Sequence, residues 1–298
     1  MIISSNGAGL CNRIKCWVSS MRIDEDCYVD WPDFVNIRPT GITVDNIPQP
    51  RKKSFPRFED LFENKNEKSN QNFKRSVVYT RPDDVLKSNL YNCKETIKTY
   101  TDCKLVVLPE DNVDRNFIKK QLSEKSIIDL QFHKTPSNVI EIYRKIFKKI
   151  KFKKSICNIA ENFYREKLEN KKLLTVHVRS FPTSPLRTQR WYNIENYYKQ
   201  IDRMKDDYEI IFLCADDFSI EQEFKKRYPE KIICFPKETD PMSEFGSIKN
   251  QTEAIVDLIL LGKGETMLAT ETSTYSEVAW WLADCSPKVI KIGNVIYE

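Results

Sequence analysis

The chain has 298 residues, 40% of them hydrophobic and 31% charged, which suits two domains of ordinary size, each with its own core. Its 48 basic against 43 acidic residues leave a net charge of +5, compatible with an anionic small molecule or with nucleic acid and decisive for neither. With only His133 and His177, a His-rich metal centre is excluded, and the absence of an 18-residue apolar run excludes a membrane-spanning helix.

In chain order, Ile2-Ile3-Ser4 reads as a very short strand running into a glycine loop, Asn6-Gly7-Ala8-Gly9. Ile14, Trp17, Val18 and Met21 then follow the i, i+3, i+4, i+7 stripe of a buried helix face. Residues 31–60 carry repeated X-Pro pairs (Trp31-Pro32, Ile47-Pro48, Phe55-Pro56), which predict extended, loop-rich chain because proline lacks a donor and breaks helices. Residues 63–76 are polar and predict mobile chain, and Val77–Tyr79 and Leu105–Leu108 could be strands. Asn138 is a candidate cap for a helix carrying Ile142, Ile146 and Phe147, and a second helix presents Ile156, Ile159, Ala160 and Phe163. From residue 173 the pattern becomes regular. Strands are predicted over 173–178, 209–214, 231–235, 267–270 and 289–292. Helices between them are predicted over 194–204, 220–228, 252–261 and 274–283. Such alternation predicts βαβ units and a parallel sheet covered on both faces. A domain boundary is expected within 150–170, giving residues 1–160 and 161–298 as the two domains.

Ligands of open parallel sheets bind outside the carboxyl ends of the strands, so the polar residues there are the candidates. In Leu173–Arg179, alternation puts Val176 and Val178 on one face and His177 and Arg179 on the other, at the strand's end. Arg179 could fork onto a diphosphate and His177 could bond a phosphate or a base; a satisfied structural pair is the bland alternative. In the segment after Met267, Ser273, Thr274, Tyr275 and Ser276 open a helix, where free backbone N–H groups make an anion site, although Ser and Thr also serve as ordinary caps. Asp257 stands inside the apolar helix Ala254–Leu261, where a carboxylate needs a partner; guanine N–H groups could supply one, and the solvated helix edge is the alternative. Gly7, Gly9, Asn12 and Arg13 make a poor dinucleotide fingerprint, because Asn12 stands where a third Gly or Ala belongs. The nine cysteines, without CxxC spacing, read as free, mostly buried thiols of a cytoplasmic protein, in keeping with a start that has no signal-peptide pattern.

Taken together, Gly7–Arg13, His177-Val178-Arg179 with Trp191–Glu195, the strand Ile211–Cys214 ending in Asp216-Asp217, and Asp257–Leu261 followed by Thr272–Ser276 resemble the fucosyltransferase superfamily of α-1,6-, nodulation and protein O-fucosyltransferases. The likeness covers 173–292 well and 1–25 moderately. It implies a GT-B arrangement: an α/β chain of two Rossmann-like domains facing a cleft, the first on the acceptor side, the second binding the nucleotide-sugar. It implies transfer of L-fucose from GDP-fucose, with inversion, to a glycan hydroxyl, with no metal and no cofactor beyond the donor. The partners implied are that donor and a carbohydrate or glycoconjugate acceptor, with no nucleic acid and at most peripheral membrane contact. By the same likeness Arg179 and Arg13 would be catalytic, Arg179 on the β-phosphate and Arg13 facing the cleft. Gly9, Asn12, His177, Asp257, Ser273, Thr274, Tyr275 and Ser276 would hold the nucleotide-sugar. One departure stands out: Ser180–Asn193 has no Asp or Glu to act as base and offers Arg187 and Arg190 instead.

Three other readings compete. One is a transferase of the same fold using another nucleotide-sugar. Another is an NAD-dependent oxidoreductase with Asp30 on the ribose, against which the broken third glycine argues. The last is a sugar- or nucleic-acid-binding protein using the basic run Arg144–Lys154, whose apolar residues fit a solvated amphipathic helix better.

Overall fold

A computed structural model of the chain describes residues 2–4, 6, 8–31, 33–37, 43–44, 47–48, 51–66, 76–79, 96–99, 105, 135, 137–180, 188–189, 192–240, 244–271 and 273–293. The first half runs β1 (Ile2–Ser4), α1 (Leu10–Ile23), β2 (Tyr28–Val29), β3 (Phe34–Ile37), β4 (Thr43–Val44), β5 (Ile47–Pro48), β6 (Arg51–Ser54), α2 (Phe58–Leu61), β7 (Ser76–Tyr79) and β8 (Thr96–Thr99). The second runs α3 (Ser137–Phe147), α4 (Lys154–Phe163), β9 (Leu173–Val178), α5 (Ile194–Met204), β10 (Ile210–Ala215), α6 (Phe218–Arg227), β11 (Ile232–Ile233), α7 (Ile248–Leu261), β12 (Thr266–Thr270), α8 (Thr274–Leu282) and β13 (Lys288–Ile292).

The second half is built on a five-stranded, all-parallel sheet of order β11-β10-β9-β12-β13. In order of appearance that is 3-2-1-4-5, the doubly wound arrangement whose switch point lies between the first and fourth strands. Every residue of β9, β10 and β12 is buried, as parallel strands covered on both faces require. One face packs Leu173, Phe212, Cys214, Met267 and Ala269 against α7 and α8; the other packs Leu174, Val176, Val178, Leu213 and Leu268 against α5 and α6. The first half has its own parallel sheet, of order β2-β1-β8-β7. The core on the α7–α8 side continues into that half through α1, where Trp17, Phe58, Phe62 and Trp31 meet edge to face or stacked; α3 joins the same core, its Phe147 stacked on Trp281 at 5.4 Å.

From residue 173 on, the structure places strands and helices where the hydrophobic period put them, except that α7 starts four residues earlier than predicted and the strand expected over 231–235 is only Ile232–Ile233. The first half departs further. The proline-rich stretch contains the pair β3–β6 and the short helix α2, whose Phe58 and Leu61 are buried. The strand β7 falls where Val77–Tyr79 put it, whereas β2 and β8, short and without an apolar run, did not stand out. The basic run Arg144–Lys154 is no single helix: α3 ends at Phe147, a turn follows, and α4 starts at Lys154, with Ile146, Phe147 and Phe152 buried. Leu105 is buried without regular structure; the rest of the strand expected there, most of the polar stretch 63–76, and Cys93, Cys103 and His133 lie outside the described residues. The seven described cysteines are all free thiols. No helix among the described residues is long and apolar enough to cross a membrane.

Candidate functional site

The sheet opens at its switch point. β9 stays paired with β10 as far as Val178, but its pairing with β12 stops at Leu268↔Val176. The diverging ends are tied by one hydroxyl: Thr270 Oγ1 donates to the His177 carbonyl and accepts from the Arg179 N–H, both at 2.8 Å. The Tyr197 hydroxyl, 2.8 Å away, completes the hydroxyl's capacity. Three peptide and side-chain groups at the strand exit are thereby fixed without closing the crevice.

His177 is 3% exposed, and its Nδ1 lies 2.6 Å from Ser276 Oγ. Burial, with Arg179 and Lys237 adding repulsion, pulls its pKa down to about 3, so the ring is neutral. Arg179 is about a third exposed and donates through Nη1 to Asp216 at 2.7 Å. Asp216 also accepts from the Ser180 N–H and O–H at 2.8 Å each. Asp217 caps α6, accepting from Ser219 N–H and O–H. The two adjacent aspartates therefore diverge, one toward Arg179 and the other onto a helix end.

α8 begins beside this crevice. Ser273 occupies the cap position but its hydroxyl makes no capping bond, and the neighbouring hydroxyls are engaged elsewhere: Thr274 donates to Asn12 Oδ1 at 2.6 Å, Tyr275 donates to the Ala254 carbonyl, and Ser276 meets His177. The hydroxyl cradle expected from the sequence is thus largely committed to protein partners. What the helix start presents is its unsatisfied backbone N–H groups, aligned with the helix dipole.

The Asn12–Thr274 bond joins positions 262 residues apart and brings the N-terminal glycine loop to the start of α8. Gly9 faces Phe245: a side chain there would meet the ring at 3.7 Å. The adjoining Gly246 has φ +97°, and a Cβ would come within 2.1 Å of the Ser54 carbonyl, so only glycine fits. One turn further along α1, Lys15 donates to Glu277 at 2.6 Å with both side chains fully buried. Arg13 does not face an open surface. It is fully buried, donates from Nε to the Ala8 carbonyl at 2.7 Å, and lies over the Phe55 ring at 3.9 Å. Here it braces the glycine loop.

Asp257 is 2% exposed and has the partner its position demands, though it is not the helix edge. Its Oδ2 accepts from Lys237 at 3.1 Å and from the Cys214 thiol at 3.3 Å, while Oδ1 is buried without a hydrogen-bond partner. Burial raises its pKa to about 6, with Lys237 opposing and Glu221 adding to the rise. Lys237, Glu221 and Lys15 escaped sequence reasoning, because a lone lysine in a loop or on a helix carries no pattern. The chain's one Asp-x-Asp triplet, Asp24-Glu25-Asp26, sits in the turn beyond α1, about 20 Å along that helix from the crevice. Among the described residues no group of three or more His, Cys, Asp or Glu gathers as a metal site.

No family model matches the chain, and no curated protein matches it in sequence. Solved structures do match. The fucosyltransferase NodZ from Bradyrhizobium superposes with a TM-score of 0.58 at 17% identity, over 97% of this chain and 93% of that one. NodZ α-1,6-fucosyltransferase soaked with GDP-fucose gives 0.57 at 16% identity, over 97% and 94%. A mutant of Arabidopsis thaliana FUT1 in complex with GDP gives 0.54 at 12% identity, over 97% of this chain and 69% of that one. The chain shares the fold of these enzymes nearly end to end.

Proposed function

We propose that this chain is an inverting glycosyltransferase of the fucosyltransferase kind, which moves L-fucose from GDP-fucose to a glycan hydroxyl. The observation that carries the reading is the convergence, at one sheet switch point, of neutral His177, Arg179, the open start of α8 and the half-partnered carboxylate of Asp257. In this reading the two parallel sheets belong to two Rossmann-like domains, residues 1–160 and 161–298. The donor lies against the second, and Gly9 and Asn12 approach it from the first. The base rests near His177 and Asp257, and the diphosphate near Arg179 and the N–H groups opening α8.

The reaction breaks the bond between the anomeric carbon and the diphosphate oxygen. It forms a bond from that carbon to the acceptor oxygen on the opposite face. Positive potential from Arg179 and the helix start favours departure of GDP. When departure leads, the acceptor hydroxyl needs little activation, and its proton passes to a diphosphate oxygen. This accounts for a segment 180–193 without a carboxylate.

Two outcomes follow. In calorimetry GDP binds and NAD does not. Binding of UDP without GDP would refute the guanine assignment of His177 and Asp257. Transfer also persists in excess EDTA, since Asp216 is held by Arg179 and Ser180 and Asp217 caps a helix, leaving neither to bind a cation on the diphosphate. Loss on chelation, restored by Mn²⁺, would overturn both the metal-free and the phosphate-led steps.

A further inference from the structure

Behind the crevice lies a buried charge cluster that the motifs do not account for. Lys237, 6% exposed, stands between two carboxylates, 2.5 Å from Glu221 Oε1 and 3.1 Å from Asp257 Oδ2. The Cys214 thiol donates to the same Asp257 oxygen, at 3.3 Å, and Cys214 pairs across the sheet with His177. The Tyr275 ring lies 4.9 Å from that of His177 and belongs to the same group. Among the cluster's fully shielded nitrogen and oxygen atoms, Asp257 Oδ1 is the one without a hydrogen-bond partner. A buried carboxylate oxygen left unmatched is costly, and a ligand donor would relieve it.

We propose that Lys237 is a positioning residue of the nucleotide site: fixed by Glu221, it occupies Oδ2 of Asp257 together with Cys214, holds that carboxylate ionised, and leaves Oδ1 as the acceptor offered to the nucleotide. This rests on the GDP reading above. The chemistry is direct. Oδ2 already receives two donors, so the ligand's N–H groups are read through one oxygen. A buried carboxylate beside Glu221 and Tyr275 has Lys237 as the one cation that favours its charged form, aided by the Cys214 thiol. Without that cation, Asp257 would take up a proton and turn from acceptor to donor.

The test is GDP affinity by calorimetry across the pH range around 6, compared between variants so that the ligand's own titration cancels. GDP needs ionised Asp257, so binding weakens as pH falls through that group's pKa. Lys237→Met removes the cation and moves this acid limb to higher pH; each unit of movement weakens acid-side binding about tenfold. Glu221→Gln removes the competing negative charge and moves the limb to lower pH. Opposite displacements support the assignment, and if Lys237→Met does not fold, the Glu221→Gln displacement alone decides. A merely structural Lys237 would lower affinity equally at every pH, and limbs that do not move would overturn the proposal. Failure of the wild-type chain to bind GDP at any pH would instead remove the donor reading, and this inference with it.

Discussion

Arg179→Ala is expected to abolish nearly all transfer while the protein stays folded. The guanidinium sits at the exit of β9 with its backbone N–H tied to Thr270, so the position is rigid. Removing one preorganised donor to a developing negative charge costs about 3–4 kcal/mol, or roughly a hundred- to thousandfold in rate. The fold should tolerate the change, because Asp216 keeps two donors from Ser180, and a partly exposed ion pair contributes little on its own. Arg179→Lys should fail as well, since a single ammonium cannot hold Asp216 and fork onto a phosphate at once. The measurement is transfer from GDP-fucose alongside circular dichroism and the urea midpoint. Near-normal turnover in folded Arg179→Ala would take the residue out of the mechanism.

Lys15→Met is expected to be the most damaging single change to stability. Lys15 and Glu277 are both fully buried, and their bond links α1, which follows the first sheet, to α8 of the second. Glu277 also accepts from the Trp281 indole at 3.3 Å. Burial raises the Glu277 pKa, and Lys15 is the charge that offsets it. Removing one partner leaves an uncompensated buried charge, at a cost of about 3–5 kcal/mol, whereas replacing both with apolar side chains of similar volume is often close to neutral. Lys15→Met combined with Glu277→Met should therefore recover most of the loss in urea unfolding, a non-additivity typical of groups in contact. Purely additive effects, or a single-variant loss under about 1 kcal/mol, would show that the pair does not couple the two halves.

The second half was legible almost residue by residue because buried parallel strands are apolar on both faces and the helices between them repeat every 3.6 residues. Leu173–Val178, Ile210–Ala215 and Ile194–Met204 each carry that signal within their own span. In the first half the strands are two to four residues long, only the apolar runs of β1 and β7 show in the sequence, and β8 pairs with β1 across more than ninety positions. Nothing local marks Thr96–Thr99 as an interior strand.

The sequence by itself determined which chemical groups stand at the strand ends: His177 and Arg179 leave β9 on one face, and hydroxyls open α8. Only the tertiary structure decided what those groups are free to do. Asn12 reached Thr274 and Lys15 reached Glu277 across 262 residues, Arg13 turned inward under Phe55, and Lys237 entered a buried site from a loop. Hydrogen-bonding capacity is finite and burial is a property of the whole packed chain. A side chain's identity therefore fixes its possible bonds, while its neighbours in space determine which bond it makes and which atom, here Asp257 Oδ1, is left without one.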